Sequence, residues 1–319
     1  YTPIPQPFHT FLNGQWRPSP LPISPSPLLA TESLHSLHLI TWNIDFMASY
    51  PRARMSAALT HLSSVLTTIP STSAIVIFLQ EMQESESGTP DSEKHANDLT
   101  QLQTADWVRD LFHMTDVDTG NWDGASYGTV ALVDRRLQIE QVSRLPFVSE
   151  FKRDALVVDV RLSAGEATGS IFRLCNVHLD SMSGTMRPIQ WKGLADLAQP
   201  RPDEGTNSRV VAGIVAGDCN ANQRRDRSEP QDNGFRDAYL ELGGVEDDGE
   251  GVTWGVQSVK SRFGPKRLDK IVFWGDLHVS SLERVGVDVK VEEERVVKEL
   301  EKLGELPFAT DHFGLMGVF

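Results

Sequence analysis

The stretch Ala74-Ile75-Val76-Ile77-Phe78-Leu79-Gln80-Glu81 is an unbroken apolar run that ends on an amide and a carboxylate. Apolar at successive positions, it suits a strand buried on both faces whose polar tip leaves the sheet at an edge. Four other segments have the same character: Thr41-Trp42-Asn43-Ile44-Asp45, Asn176-Val177-His178-Leu179-Asp180, Gly217-Asp218-Cys219-Asn220 and Thr310-Asp311-His312. A polar residue at a strand end sits where a rigid sheet can aim it into a cleft. Carboxylate, carboxamide and imidazole together are suited to metal-assisted attack on phosphate.

Outward from these segments, strands alternate with helical patterns. Leu37 to Trp42 reads as a strand, and Pro51 opens a helix carrying Met55, Ala58, Leu59, Leu62, Val65 and Leu66 at helical spacing. Residues 84–104 are polar and acidic and predict a loop, Ala105 to Met114 a short helix, and Gly120 to Gly124 a turn. Tyr127 to Val133, Leu137 to Val142, Ala155 to Leu162 and Ile171 to Val177 predict strands whose spacing implies antiparallel neighbours. A helix over Met186 to Ala198 and strands at Val210 to Ala216, Ile271 to Trp274 and Phe313 to Phe319 complete the pattern. Glu292 to Leu303, with Val296, Val297, Leu300 and Leu303 on one stripe, predicts a surface helix. Residues 1–35 are rich in Pro and Ser and predict an extended, weakly structured lead-in to a single domain over 36–319. The mixture favours an α/β sandwich of two sheets with helices outside.

The chain has 319 residues, enough for one large α/β domain, and a formal net charge of −14. That charge excludes a broad basic surface for binding along a duplex, so any nucleic-acid contact is expected to be local. The two cysteines, Cys175 and Cys219, form no CxxC pair and no disulfide framework, which favours a reducing, intracellular setting, nucleus or cytoplasm. No apolar run is long enough to span a membrane, and the first residues lack a signal-peptide core. The sequence opens on Tyr1 rather than Met, which leaves room for a targeting segment ahead of it.

Taken singly, each polar tip has a plain reading beside the functional one. Asn43 and Asp45 share a strand face and could approach one cation, or cap a turn. Asp45 is either a metal ligand or the group that holds Asn43 or a metal-bound water. Glu81, leaving a buried strand, suits a hard cation such as Mg2+, or else begins a solvated acidic loop. Asp218 and Asn220 fit an Asx turn as well as a site, and Gly217 lets the backbone pass close to a substrate. His312, entering the last strand, can meet negative charge developing on phosphorus.

As a set, in this order and separation, the segments resemble the endonuclease/exonuclease/phosphatase superfamily of DNase I-like folds, and within it the 5′-tyrosyl-DNA phosphodiesterases. The matches are Thr41 to Asp45, Leu79 to Glu81, His178 to Ser181 with Asp180 as the acid, Gly217 to Asn220, and Thr310 to Leu315 with Phe313 in place of Trp. The resemblance implies a four-layer α/β sandwich of two mainly antiparallel sheets flanked by helices. It further implies a monomeric Mg2+-dependent phosphodiesterase, with Mn2+ as a substitute, acting on single-stranded 5′ DNA ends that carry a tyrosyl adduct. In that scheme Asp218 activates water, Asn220 binds phosphate or holds the nucleophile, and Asp269 orients His312. His178 contacts the scissile phosphate, and Asp311 binds the metal or lies just beyond it. Tyr127, Arg153 and Trp254 resemble substrate contacts: Arg153 to pair with phosphate, Trp254 to stack on a terminal base or simply pack in the core. Phe46 stands where the family has Gly and would narrow the rim beside Asn43. Asn222 stands where a basic residue is usual, with Arg224, Arg225 and Arg227 following. Alternatives are a sister activity on RNA ends, abasic DNA or a small phosphodiester, and an idle binding module.

Overall fold

The structure, a computed structural model, describes residues 2–19, 34–85, 93–161, 170–198, 210–259 and 263–319. In chain order the elements begin with β1 (Ile4–Pro5), β2 (Phe8–Leu12), β3 (Gln15–Ser19), β4 (Ser36–Asn43), α1 (Pro51–Leu66) and β5 (Ser73–Met82). Next come α2 (Asp98–Thr104), α3 (Asp106–Leu111), β6 (Phe112–Met114), β7 (Gly128–Asp134), β8 (Gln138–Pro146), β9 (Asp154–Arg161), β10 (Ile171–His178) and α4 (Arg187–Ala198). The remainder is β11 (Val210–Asp218), α5 (Glu229–Asp232), β12 (Arg236–Asp237), α6 (Ala238–Glu241), β13 (Asp269–Trp274), β14 (Ser281–Val285), α7 (Glu294–Leu303) and β15 (Gly314–Val318). No described helix is long and apolar enough to cross a membrane.

The strands form two sheets, ordered β1-β8-β9-β10-β11-β13-β12 and β14-β15-β4-β5-β7-β6-β2-β3. Each has one parallel pair at its centre, β10 with β11 and β4 with β5, and antiparallel pairing elsewhere among the described strands. This arrangement places the site. The ends of the parallel strands bring Asn43, Glu81, His178 and Asp218 to one edge. Antiparallel β13 and β15 start at that same edge, carrying Asp269 opposite Asp218 and His312 just ahead of β15.

Alternation along the strands explains the layers. Leu37 and Leu39, Ala74, Val76 and Phe78, Leu174, Ile214 and Ala216, and Ile271 and Phe273 point between the sheets. The opposite parity on β4 and β5 packs on α1 and α2 outside one sheet, and that on β10 and β11 packs on α4 outside the other. The result is four layers, helix, sheet, sheet, helix. At the cleft end the inward parity turns polar: Gln80 donates to Thr41 Oγ1 at 3.0 Å and to Asn176 Oδ1 at 2.8 Å. Asn176 in turn donates to the carbonyls of Leu79 and Val130, at 3.1 and 2.9 Å, so the two amides staple one sheet to the other.

Four expectations are corrected. Residues 4–19 are not a loose lead-in: β1 pairs with β8, β2 with β3 and β6, and Gln6 is buried against Arg144, Thr115 and Asp116. The rest of the expected lead-in, 20–33, lies outside the described residues. The predicted loop 84–104 ends in α2, because Leu99 and Leu102 bury a short apolar stripe there. The strands β7 and β8 are not neighbours but lie in different sheets, the chain crossing between them at Arg135 to Leu137. On α7 only Val296 and Leu300 are buried, while Leu303 is exposed, since the helix packs on the domain through its first turns.

The amide staple generates a stability prediction. Asn176→Ala would remove one hydrogen bond from Gln80 and two to the Leu79 and Val130 carbonyls in a dry seam, and should lower unfolding free energy by roughly 2–4 kcal/mol. Urea unfolding monitored by circular dichroism would show it, and a loss well under 1 kcal/mol would mean the staple is not a significant tie.

Candidate active site

Three of the residues reach the cleft through left-handed backbone that side-chain-bearing residues seldom adopt: Asp45 (φ 61°), Glu81 (φ 59°) and Asn220 (φ 48°). For Glu81 the cause is visible. One extra residue is accommodated in β5 between Leu79 and Met82, opposite Val130 and Gly128 of β7. That bulge turns an outward-parity carboxylate into the cleft, where Oε2 accepts the Phe46 N–H at 3.0 Å. Gly217 has a different role from the one expected: a Cβ there would meet the Val177 carbonyl at 1.9 Å, so the glycine admits the neighbouring strand rather than a substrate.

Asp218 is the hub. Its Oδ1 accepts the Asn220 N–H at 2.8 Å and its Oδ2 accepts the Asn43 amide at 3.1 Å. The Nε2 atoms of His178 and His312 approach Oδ2 to 3.4 and 3.9 Å. Burial, reinforced by Asp269, pushes the Asp218 carboxyl up to about 7. Asp45 is likewise pushed up to about 7 by burial and by the carboxylates of Asp311 and Glu81.

The two histidines have opposite states. At His178, Arg153 donates to Nδ1 at 2.8 Å, which assigns the proton to Nε2, facing Asp218 and Glu81. Burial, Arg153 and His312 hold its pKa well below the usual range, so it is neutral. At His312, Nδ1 contacts Asp269 Oδ2 at 2.8 Å. Burial alone would depress this imidazole, but Asp269 and Asp311 outweigh it and hold the pKa well above the ordinary value. The site thus pairs a neutral donor with an imidazolium.

Glu81, His178 and Asp218 each offer a ligand atom, and these lie within 4.8 Å of one another. A divalent cation fits: the Asp45, Glu81 and Asp218 carboxyls converge and are all raised by burial, and Asp269 Oδ1 is buried with no hydrogen-bond partner in the protein. Because His178 carries its proton on Nε2 and both Asp218 oxygens already accept hydrogen bonds, the Glu81 carboxylate is the natural ligand. Asp45 and Asp311, the other expected ligands, stand at the rim. Asp45 Oδ1 accepts the Met47 N–H, its backbone N–H binds Asn43 Oδ1, and Asp311 accepts the Trp254 indole at 2.6 Å.

The expected substrate contacts lie close by. Tyr127 stacks on Phe46 with centroids 3.9 Å apart, and the Arg153 guanidinium lies 4.9 Å from the tyrosine ring centre. Arg153 is buried, with Nε unpartnered. Trp254 is half-buried and holds Asp311, a role distinct from both base stacking and core packing. Asn222 is tied to Arg187, Met182 and Lys266. Sequence reasoning named Asp180 without giving it a role and missed Ser149 and Arg187. Asp180 accepts from Ser149 Oγ and the Glu150 N–H, and Ser149 Oγ in turn receives the Arg153 N–H at 3.0 Å. Arg187, fully buried, grips Asp226 through two nitrogens and the Asp180 carbonyl through a third. An arginine at a helix start reads as solvated, so nothing local reveals it.

Fold and site together define a hydrolase of the phosphodiesterase type, built on a two-sheet sandwich. The chain belongs to the endonuclease/exonuclease/phosphatase family, whose profile matches residues 40–312. A comparison with curated protein sequences gives no match. Among solved structures, truncated TDP2 from Caenorhabditis elegans is similar, at 19% identity and TM-score 0.60, over 89% of this chain and 97% of that one. TDP2 of D. rerio in complex with a single-strand DNA product gives 17% and 0.61, over 89% and 98%. A mannosyl-6-phosphatase of Bacteroides thetaiotaomicron gives 14% and 0.53, over 89% and 99%. At these identities the likeness concerns the fold.

The Asp269–His312 pair supplies a test. A raised histidine pKa adds stability that is fully present below the unfolded value, about 6.5, and is lost as pH rises through the folded value. Asp269→Asn removes its main cause. Thermal unfolding in chelator should show the variant furthest below the parent near pH 5.5–6.5, with the gap narrowing at alkaline pH; a gap that widens with pH would refute the pairing.

Proposed function

We propose that this chain hydrolyses the phosphodiester joining a tyrosine side chain to a 5′ DNA terminus, leaving a 5′-phosphate, with Mg2+ as the cation. The observation that carries the reading is one cleft holding a poised carboxyl, Asp218, an imidazolium, His312, and an aromatic–cation shelf of Phe46, Tyr127 and Arg153. A shelf of that kind suits a terminal aromatic group beside a phosphate, and the acidic chain as a whole suits an end better than a duplex. The D. rerio structure with its single-strand DNA product supports a nucleic-acid substrate. An intracellular setting belongs to the same proposal.

In the reaction, Asp218, near 7 and fixed by Asn43 and Asn220, takes the proton from the attacking water as the new P–O bond forms. The bond to the tyrosyl oxygen breaks in line with it. His178 donates through Nε2 to a phosphoryl oxygen, its ring held by Arg153. His312, braced by Asp269, meets the charge that builds opposite. A bound divalent cation, held by Glu81, would polarise a non-bridging oxygen and neutralise the leaving oxyanion. No covalent enzyme intermediate is needed.

Phe46 and Asn222, where the family has Gly and a basic residue, favour a second reading, a sister phosphodiester such as an RNA end or abasic DNA. The deciding assay offers a 5′-phosphotyrosyl single-stranded oligonucleotide, a plain 5′-hydroxyl strand and an abasic duplex, each with and without Mg2+. Mg2+-dependent release of tyrosine alone is expected. Cleavage of another substrate instead moves the chain to the sister activity, and cleavage of none leaves a binding module. Asp218→Asn should fold and lose about 10²–10⁴-fold in kcat at any metal concentration. Glu81→Ala should regain part of its activity when Mg2+ is raised; near-parental turnover of Asp218→Asn would remove it from the role of base.

A further inference from the structure

A single buried arginine joins the two loops that carry the outer acids of the cleft. Arg54, on the first turn of α1 and 5% exposed, donates from Nε to the Ser49 carbonyl at 2.7 Å, and from a terminal nitrogen to the Phe308 carbonyl. Its other terminal nitrogen meets Glu305 Oε2 at 3.0 Å. Glu305 closes the figure by accepting the Ser49 N–H at 3.2 Å and the Ser49 hydroxyl at 2.6 Å. Ser49 ends the loop that begins at Asp45, and Phe308 stands just ahead of Asp311 and His312. The same two segments are tied once more, by the Thr310 hydroxyl on the Asn43 carbonyl at 2.8 Å.

Asp311 raises the cost of ionising Asp45, and His312 and then Arg54 are the cations that act against it. A planar fork with three directional bonds fixes a spacing, which a point charge does not.

We propose that Arg54 is a positioning residue that sets the separation of the Asp45 and Asp311 loops across the cleft mouth, and thereby how tightly the cleft holds a divalent cation. Glu305 is its partner in that role. The inference rests on the reading of the cleft as a cation-dependent phosphodiesterase site, but not on the identity of its substrate.

Arg54→Lys separates positioning from charge, since the ammonium keeps the charge and gives up the fork. Arg136 is the control. It makes the same kind of clamp, to Asp134 and to the Ser71 and Ser73 carbonyls, at the other end of β5. The measurement is Mg2+ affinity by titration calorimetry on the full chain without substrate, alongside the melting temperature. Arg54→Lys should weaken Mg2+ binding by about tenfold or more, the order of effect when an outer support of a metal site is lost, and lower kcat more than it raises KM. Arg136→Lys should lower the melting temperature and leave Mg2+ affinity as in the parent. Parental affinity in Arg54→Lys, whatever its melting temperature, would reduce the clamp to ordinary structural bonding and overturn the proposal. If Arg54→Lys does not fold, Glu305→Gln is judged by the same criterion: weakened affinity supports the proposal and parental affinity overturns it. A parent that binds no Mg2+ would sink both this inference and the reading beneath it, whereas a parent that binds Mg2+ but spares tyrosyl DNA would sink the substrate assignment alone.

Discussion

The hydrogen bond between Gln80 and Asn176 is the tie on which the rest of the cleft depends. Both amides are fully buried, and both belong to the inward parity that, one turn of the pleat earlier, is Phe78 and Leu174. The apolar layer between the sheets is strong but nondirectional; it holds two sheets together without choosing their offset. A directional bond at its end does choose, because an amide in a dry layer has no alternative partner. With that offset fixed, Asn43 on one sheet reaches Asp218 on the other, and His312 reaches Asp269. Both of these pairs span the same seam.

Electrostatics then divides like residues into unlike roles. His178 and His312 are both buried and lie within 4 Å of the same Asp218 oxygen. One has an arginine behind it and stays neutral, while the other has a carboxylate behind it and stays charged. The group on the far ring nitrogen decides, as it does wherever an imidazole is tuned by the partner it does not show to the substrate. Burial and Asp269 hold Asp218, between the two, at about 7, which suits proton exchange with water.

Much of this was legible in the sequence, and the limits have physical causes. Continuous apolar runs with polar tips revealed β4, β5, β10 and β11 and most of the cleft, since parity and burial are local properties of the chain. In residues 4–19 the β2–β3 hairpin, turning at Asn13-Gly14, was overlooked beside the Pro and Ser content, while β1 and the other edge of β2 pair with β8 and β6, more than a hundred residues away. Which sheet β7 and β8 join is likewise not written in either strand, since burial along a strand does not name the strand it pairs with. Arg54 and Arg187 were missed for another reason: an arginine looks solvated until the carbonyls and carboxylates that bury it are known. Trp254 was seen, but its indole serves Asp311, a partner that no spacing in the sequence identifies.

The bulge before Met82 has a consequence for how this chain can vary. β5 runs in one phase as far as Leu79 and in the other beyond it, and Glu81 sits where the phases meet. Exchanging one apolar side chain for another upstream changes packing by degrees. Adding or removing a single residue would exchange the two faces of the strand, sending Gln80 out of the seam and Glu81 out of the cleft together. The segment is therefore tolerant in composition and intolerant in length. Over time its descendants should drift in spelling while keeping their count.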